Sequence, residues 1–115
     1  MTLGQKQRLF TRLIGLLIEY AYQNGYELTV GDAYRDPRVH GKHGEKKSYS
    51  ASKSNHKLRL AIDFNLFKDG HYMESTEDHR ELGEYWKSLN PLCEWGGDGD
   101  RNDGNHYSMN HDGSW

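Results

Sequence analysis

One cysteine, two prolines and no long apolar run set the first limits on this chain. A lone Cys93 leaves no intrachain disulfide, which fits synthesis in a reducing cytoplasm. The longest apolar run, from Leu13 to Ile18, is broken by Gly15 and far too short to cross a bilayer. Stable membrane insertion is therefore not expected, nor is a secretory signal peptide. No HExxH occurs, which excludes the helix-borne zinc-protease pattern. Only 34% of residues are hydrophobic and mean hydropathy is −1.03, so any core is modest.

What the chain does have is 13 glycines and 8 tyrosines in 115 residues. That length suits a single domain, 1–115, whose loops need an organiser other than a large core, and a metal site would serve. The net charge of −2 conceals a polarity along the chain. Residues 36–59 carry a net +5, and residues 94–115 carry −4. The basic stretch could meet an anionic partner, or the two segments could neutralise one another.

Hydrophobic spacing predicts a helix over 5–24, with Leu9, Leu13, Leu16, Leu17 and Tyr20 as its apolar stripe and Gly25 as its cap. Tyr26–Tyr34 reads as a strand and 38–53 as a long loop. Leu58–Phe67 is the most β-like segment, and Lys68–Asp69–Gly70 is a hairpin turn before His71–Tyr72–Met73. A second helix is expected over about 76–89, capped by Ser75 or Thr76 and stopped at Asn90–Pro91. Short strands at 94–97 and 106–109 flank a Gly/Asp-rich loop. The fold class is α+β: two helices packed on a small, mostly antiparallel sheet.

Seven histidines are a surplus. His40, His43, His71, His79 and His111 read as surface or packing residues. His56 and His106 differ in their company. Asp63 stands seven residues after His56, inside Leu60-Ala61-Ile62-Asp63-Phe64, where a buried carboxylate is costly unless paired or bound to metal. Asp103-Gly104-Asn105-His106 closes the glycine-rich loop. Two His and one Asp would give zinc three ligands and leave a position for water, with Asp103 placed to act as general base.

Ser54-Asn55-His56 followed by Ala61-Ile62-Asp63 resembles the S-x-H-x-x-G-x-A-x-D signature of the D-Ala-D-Ala carboxypeptidase family. That family includes VanX, VanY and phage L-alanyl-D-glutamate endolysins, and shares a zinc fold with lysostaphin-like and hedgehog-like proteins. Trp95-Gly96-Gly97 with Asp103-Gly104-Asn105-His106 resembles its second signature, and Tyr34-Arg35 its Y-R element. The resemblance implies His56, Asp63 and His106 as Zn²⁺ ligands and Asp103 as base. It implies Arg35 as a catalytic and substrate-binding residue and Ser54 as a contributor to substrate binding. Arg59 stands where the family has glycine, and Asp103 where the vancomycin-resistance dipeptidases carry Glu.

The expected function is zinc-dependent hydrolysis of an amide bond in the peptidoglycan stem peptide, L-Ala–D-Glu in the phage endolysin branch. The enzyme is expected to be a monomer made in the host cytoplasm and released to the wall. Three rivals stay open at this point. A D-Ala-D-Ala dipeptidase or carboxypeptidase would use the same site. A metal-dependent nuclease would exploit the basic loop, but Tyr49 is the only aromatic in it, and no nucleic-acid partner is expected. A non-catalytic zinc or wall-binding module would need a fourth protein ligand, for which His111 or Cys93 is the candidate.

Overall fold

The computed structural model describes residues 1–33 and 54–115. Helix α1 spans Leu3–Gln23 and opens with a capping box: Thr2 accepts from the Gln5 N–H while the Gln5 side chain accepts from the Thr2 N–H. Its buried stripe is Phe10, Leu13, Ile14, Leu17 and Ala21. This corrects the expected stripe, because Leu16 is exposed and Tyr20 stacks at 3.9 Å on Tyr85 at the rim. Two neighbouring stripes were available at helical spacing, and the one carrying Phe10 and Ile14 wins the core.

Strands β1 (Tyr26–Asp32), β2 (Ala61–Lys68), β3 (His71–Met73), β4 (Cys93–Trp95) and β5 (His106–Met109) form one antiparallel sheet in the order β1-β2-β5-β4, with β3 also paired to β2. The β2–β3 turn has positive φ at Asp69 (52°) and Gly70 (78°), the twist-matched two-residue hairpin its sequence predicts. A 3-10 turn, Glu77–His79, precedes helix α2 (Arg80–Leu89), which ends at Asn90 as expected. Leu58 is not in a strand: Asn55–Leu58 is a 3-10 helix, and β2 starts three residues later than the apolar run suggested. The tail of the expected first strand, Tyr34, and the 38–53 loop lie outside the described residues.

Both helices cover the same face of the sheet. Phe64, Leu66, Tyr107, Met109 and Trp95 point into the core they share with Phe10, Leu17, Leu82 and Trp86. Trp86 has no exposed surface and donates its indole N–H to the Glu94 and Ser108 carbonyls at 3.0 Å. Gly83 lets α2 lie directly on Trp95, since a Cβ there would stand 2.2 Å from the indole ring. Alternation therefore sends Asp63, Asn65 and Phe67 of β2, with His106 and Ser108 of β5, to the other face. Among the described residues no helix is long and apolar enough to cross a membrane.

Candidate metal centre

Register brings the site together. Asp63 of β2 pairs directly with His106 of β5, so their side chains leave the sheet side by side. His56 arrives from above on the 3-10 helix. Ser54 caps that helix by accepting from the His56 N–H at 3.2 Å. Asn55, fully buried, donates to the Met109 and Ser114 carbonyls at 2.6 and 2.9 Å and pins the helix across β5. Arg59 closes it in the left-handed conformation, φ 57° and ψ 36°. The family glycine thus coincides with a position that needs positive φ, and Arg59 occupies it at some strain.

One ligand atom from each of His56, Asp63 and His106 lies within 4.8 Å of the others. His56 and His106 are 2% and 4% exposed, so the histidines are withdrawn from water. His56 Nδ1 is 2.8 Å from the Ala33 carbonyl, which can only accept, so Nδ1 carries the proton. Ala33 directly follows β1, whose register with β2 shifts between Val30 and Asp32. His56 Nε2 then presents its lone pair to Asp63 Oδ1 at 3.3 Å. Two acceptors at that distance repel unless a cation, proton or metal ion, sits between them. His106 meets the same Oδ1 through Nδ1 at 3.2 Å, and its Nε2 is buried without a hydrogen-bond partner among the described residues. Nδ1 is thus the His106 nitrogen that faces the cluster, where a metal ion would take the place of a proton shared with Asp63. The donor set of two imidazoles and one carboxylate fits a divalent zinc-type ion. Burial alone would raise the Asp63 pKa, but while the metal is absent and the two imidazoles are protonated toward it, their hydrogen bonds and charge, His106 first and then His56, pull it well below the usual carboxylate range.

Asp103 is half-buried and is not among the clustered ligand atoms. Its backbone is locked to the site: the His106 N–H donates to the Asp103 carbonyl and the Asp103 N–H to the Gly96 carbonyl, both at 3.0 Å. The Gly96 N–H donates to the His106 carbonyl at 2.8 Å, and the Gly104 carbonyl accepts from the Trp95 indole N–H at 2.7 Å. The Trp-Gly element is therefore the clamp that sets the Asp103–His106 turn beside the cluster. Arg35 lies outside the described residues.

Neither expected fourth ligand reaches the cluster. Cys93 faces the hydrophobic core, and burial pushes its thiol up to about 12, unsuited to a thiolate. His111 lies against Lys6 and Asp112. His79 is a packing residue, fully buried against the Tyr107 hydroxyl at 2.9 Å. A cavity of about 220 Å³, lined by Phe10, Ile14, Ala33, Arg59 and Ile62 among others, includes none of the three clustered residues. Asn55 is the contributor that sequence reasoning missed. Its only signal is its place between Ser54 and His56, and the acceptors it holds are more than 50 residues away.

An α+β domain carrying a buried His-Asp-His cluster on its sheet is the arrangement of a small metallopeptidase domain. The model of the D-alanyl-D-alanine carboxypeptidase family matches residues 48–109, more than half of the chain, and the chain belongs to that family. No curated protein matches it. The matched segment contains all three clustered residues, Ser54, Asp103 and the Trp-Gly clamp. The chain is a peptidase with a peptidoglycan-type substrate.

Proposed function

We propose that this protein is a zinc-dependent peptidoglycan endopeptidase of the phage endolysin kind, which hydrolyses the L-Ala–D-Glu bond of the stem peptide. The observation that carries the metal half of this reading is the contact between His56 Nε2 and Asp63, which a shared cation makes favourable. His56, Asp63 and His106 would hold the ion, and zinc bound there supplies Lewis acidity and lowers the pKa of water from 15.7 toward ~7. The chain's residues do the rest. Asp103, tethered beside His106 but outside the ligand set, accepts the proton of the attacking water and delivers it to the leaving amine nitrogen. Arg35, assigned from the Tyr34-Arg35 element, holds a substrate carboxylate and offsets charge on the tetrahedral oxygen. The Ser54 hydroxyl, held by His56 N–H, fixes the ligand helix and borders the substrate.

Asp rather than Glu at position 103 favours the endolysin branch over the dipeptidases. On this reading the protein is made in the host cytoplasm and meets the wall after release. A second reading has a specific finding behind it, since the matching family is described by carboxypeptidase activity on terminal D-Ala. Digestion of purified peptidoglycan separates the two. New N-terminal Glu supports the endopeptidase, release of free D-Ala supports the carboxypeptidase, and neither product rejects both.

A further inference from the structure

The sheet face that carries the cluster continues beyond it. Along β2 the residues on this face are Asp63, then Asn65, then Phe67. Asn65 donates to the Thr29 hydroxyl across the β1 pair at 3.1 Å. Phe67 pairs with Tyr72 of β3, their ring centroids 5.5 Å apart at 40°. Tyr72 is 56% exposed, and both helices lie on the opposite face. Asn65 and Phe67 thus stand ~7 and ~14 Å from Asp63 along the strand. The order is chemical centre, amide–hydroxyl pair, aromatic platform.

We propose that Phe67 and Tyr72 form a stacking subsite for a pyranose ring of the glycan strand, on the sugar side of the scissile bond. The proposal rests on the L-Ala–D-Glu reading through its reach. Between that bond and the first sugar ring lie one alanine and one lactyl group, about two residue lengths or ~7 Å. Two linked rings then occupy the interval over Asn65 to Phe67. A terminal D-Ala–D-Ala bond lies about five such lengths from the sugar, ~17 Å, which carries the glycan past the platform. An aromatic face offers a sugar ring's C–H surface an apolar partner, and the Asn65–Thr29 pair offers hydrogen bonds to the acetamido and lactyl groups.

A Phe67–Tyr72 pair that merely stabilises its hairpin would contribute equally to every substrate. Tyr72→Leu keeps apolar bulk and removes the aromatic face, and Tyr72→Phe keeps the face. The measurement is kcat/KM for a disaccharide-bearing stem peptide and for the same peptide without sugar, with the new N-terminal residue identified. We expect Tyr72→Leu to lose roughly three- to tenfold on the disaccharide substrate, mainly in KM, and nothing on the free peptide, with Tyr72→Phe near wild type. Equal losses on both substrates, or no loss on either, overturn the subsite. Titration of wild type with the peptide-free disaccharide, followed by NMR of the aromatic ring protons, gives an arm independent of turnover. Shifts at Phe67 and Tyr72 support the subsite even if a different bond is cut, which would reject only the bond assignment. No shift at either ring rejects the subsite.

Discussion

Gly96→Ala tests whether the Trp-Gly clamp positions the site. A Cβ on residue 96 would stand 2.2 Å from the Asp103 carbonyl oxygen and 2.7 Å from His106 Cβ. Comfortable contact needs ~3.5 Å, so the Asp103–His106 turn must retreat by more than ~1 Å. Both obstacles are backbone or first side-chain atoms, which cannot swing aside as a long side chain would. Three hydrogen bonds between Gly96, Asp103 and His106 resist that retreat. Overpacking of this kind costs about 1–3 kcal/mol, or roughly 4–12 °C in melting midpoint for a domain of this size. Displacement of a base and a ligand by ~1 Å should cost about 10²-fold in kcat/KM on peptidoglycan. Gly15→Ala is the control. Nothing lies within 4 Å of its would-be Cβ on an exposed helical turn, so it should gain about 0.5–1 kcal/mol and leave turnover unchanged. Thermal melts by circular dichroism and initial rates on both variants decide it. A Gly96→Ala protein that melts and cuts like wild type refutes the clamp.

Arg59→Gly should stabilise the protein by about 1 kcal/mol, because Arg59 holds φ 57° where glycine pays no steric penalty; a lower denaturation midpoint would contradict this. His79 gives a pH signature. Burial lowers its folded pKa below 6.5, against a smaller opposing effect from Asp78, so the unfolded chain binds the extra proton and stability falls as pH drops below about 6.5. Wild type should therefore lose more stability between pH 7.5 and 5.5 than His79→Gln does, and parallel losses in chemical denaturation would reject that role.

Much of this architecture was legible because local chemistry and tertiary packing agree. The β2–β3 turn, the stop at Asn90–Pro91 and the strand at His106–Met109 each carry their own signal. The sequence failed where two patterns competed. Leu9, Leu13, Leu16 and Leu17 make a plausible stripe, but only packing against Phe64 and Trp86 selects Phe10, Ile14 and Ala21 in place of Leu16. Leu58 looks β-like, yet the Ser54 cap and the left-handed Arg59 turn Asn55–Leu58 into a 3-10 helix. Convergence of His56, Asp63 and His106 was foreseen from their types and from the family resemblance. The carbonyl that orients His56 was not, because Ala33 acts through a backbone atom just past the end of β1. Nor was Asn55, whose partners are set by the fold of the C-terminal strand and tail.

The central claim is that His56, Asp63 and His106 hold the catalytic metal while Asp103 works beside it. Zinc stoichiometry of Asp63→Asn and Asp103→Asn, purified in parallel and measured by elemental analysis, tests it most directly. Asp103→Asn should fold and keep about one zinc per chain while losing roughly two to four orders of magnitude in turnover. Asp63→Asn should fail to retain zinc, since the carboxylate shared by both histidines is gone. Full zinc in Asp63→Asn, or loss of zinc from Asp103→Asn, would contradict the assignment.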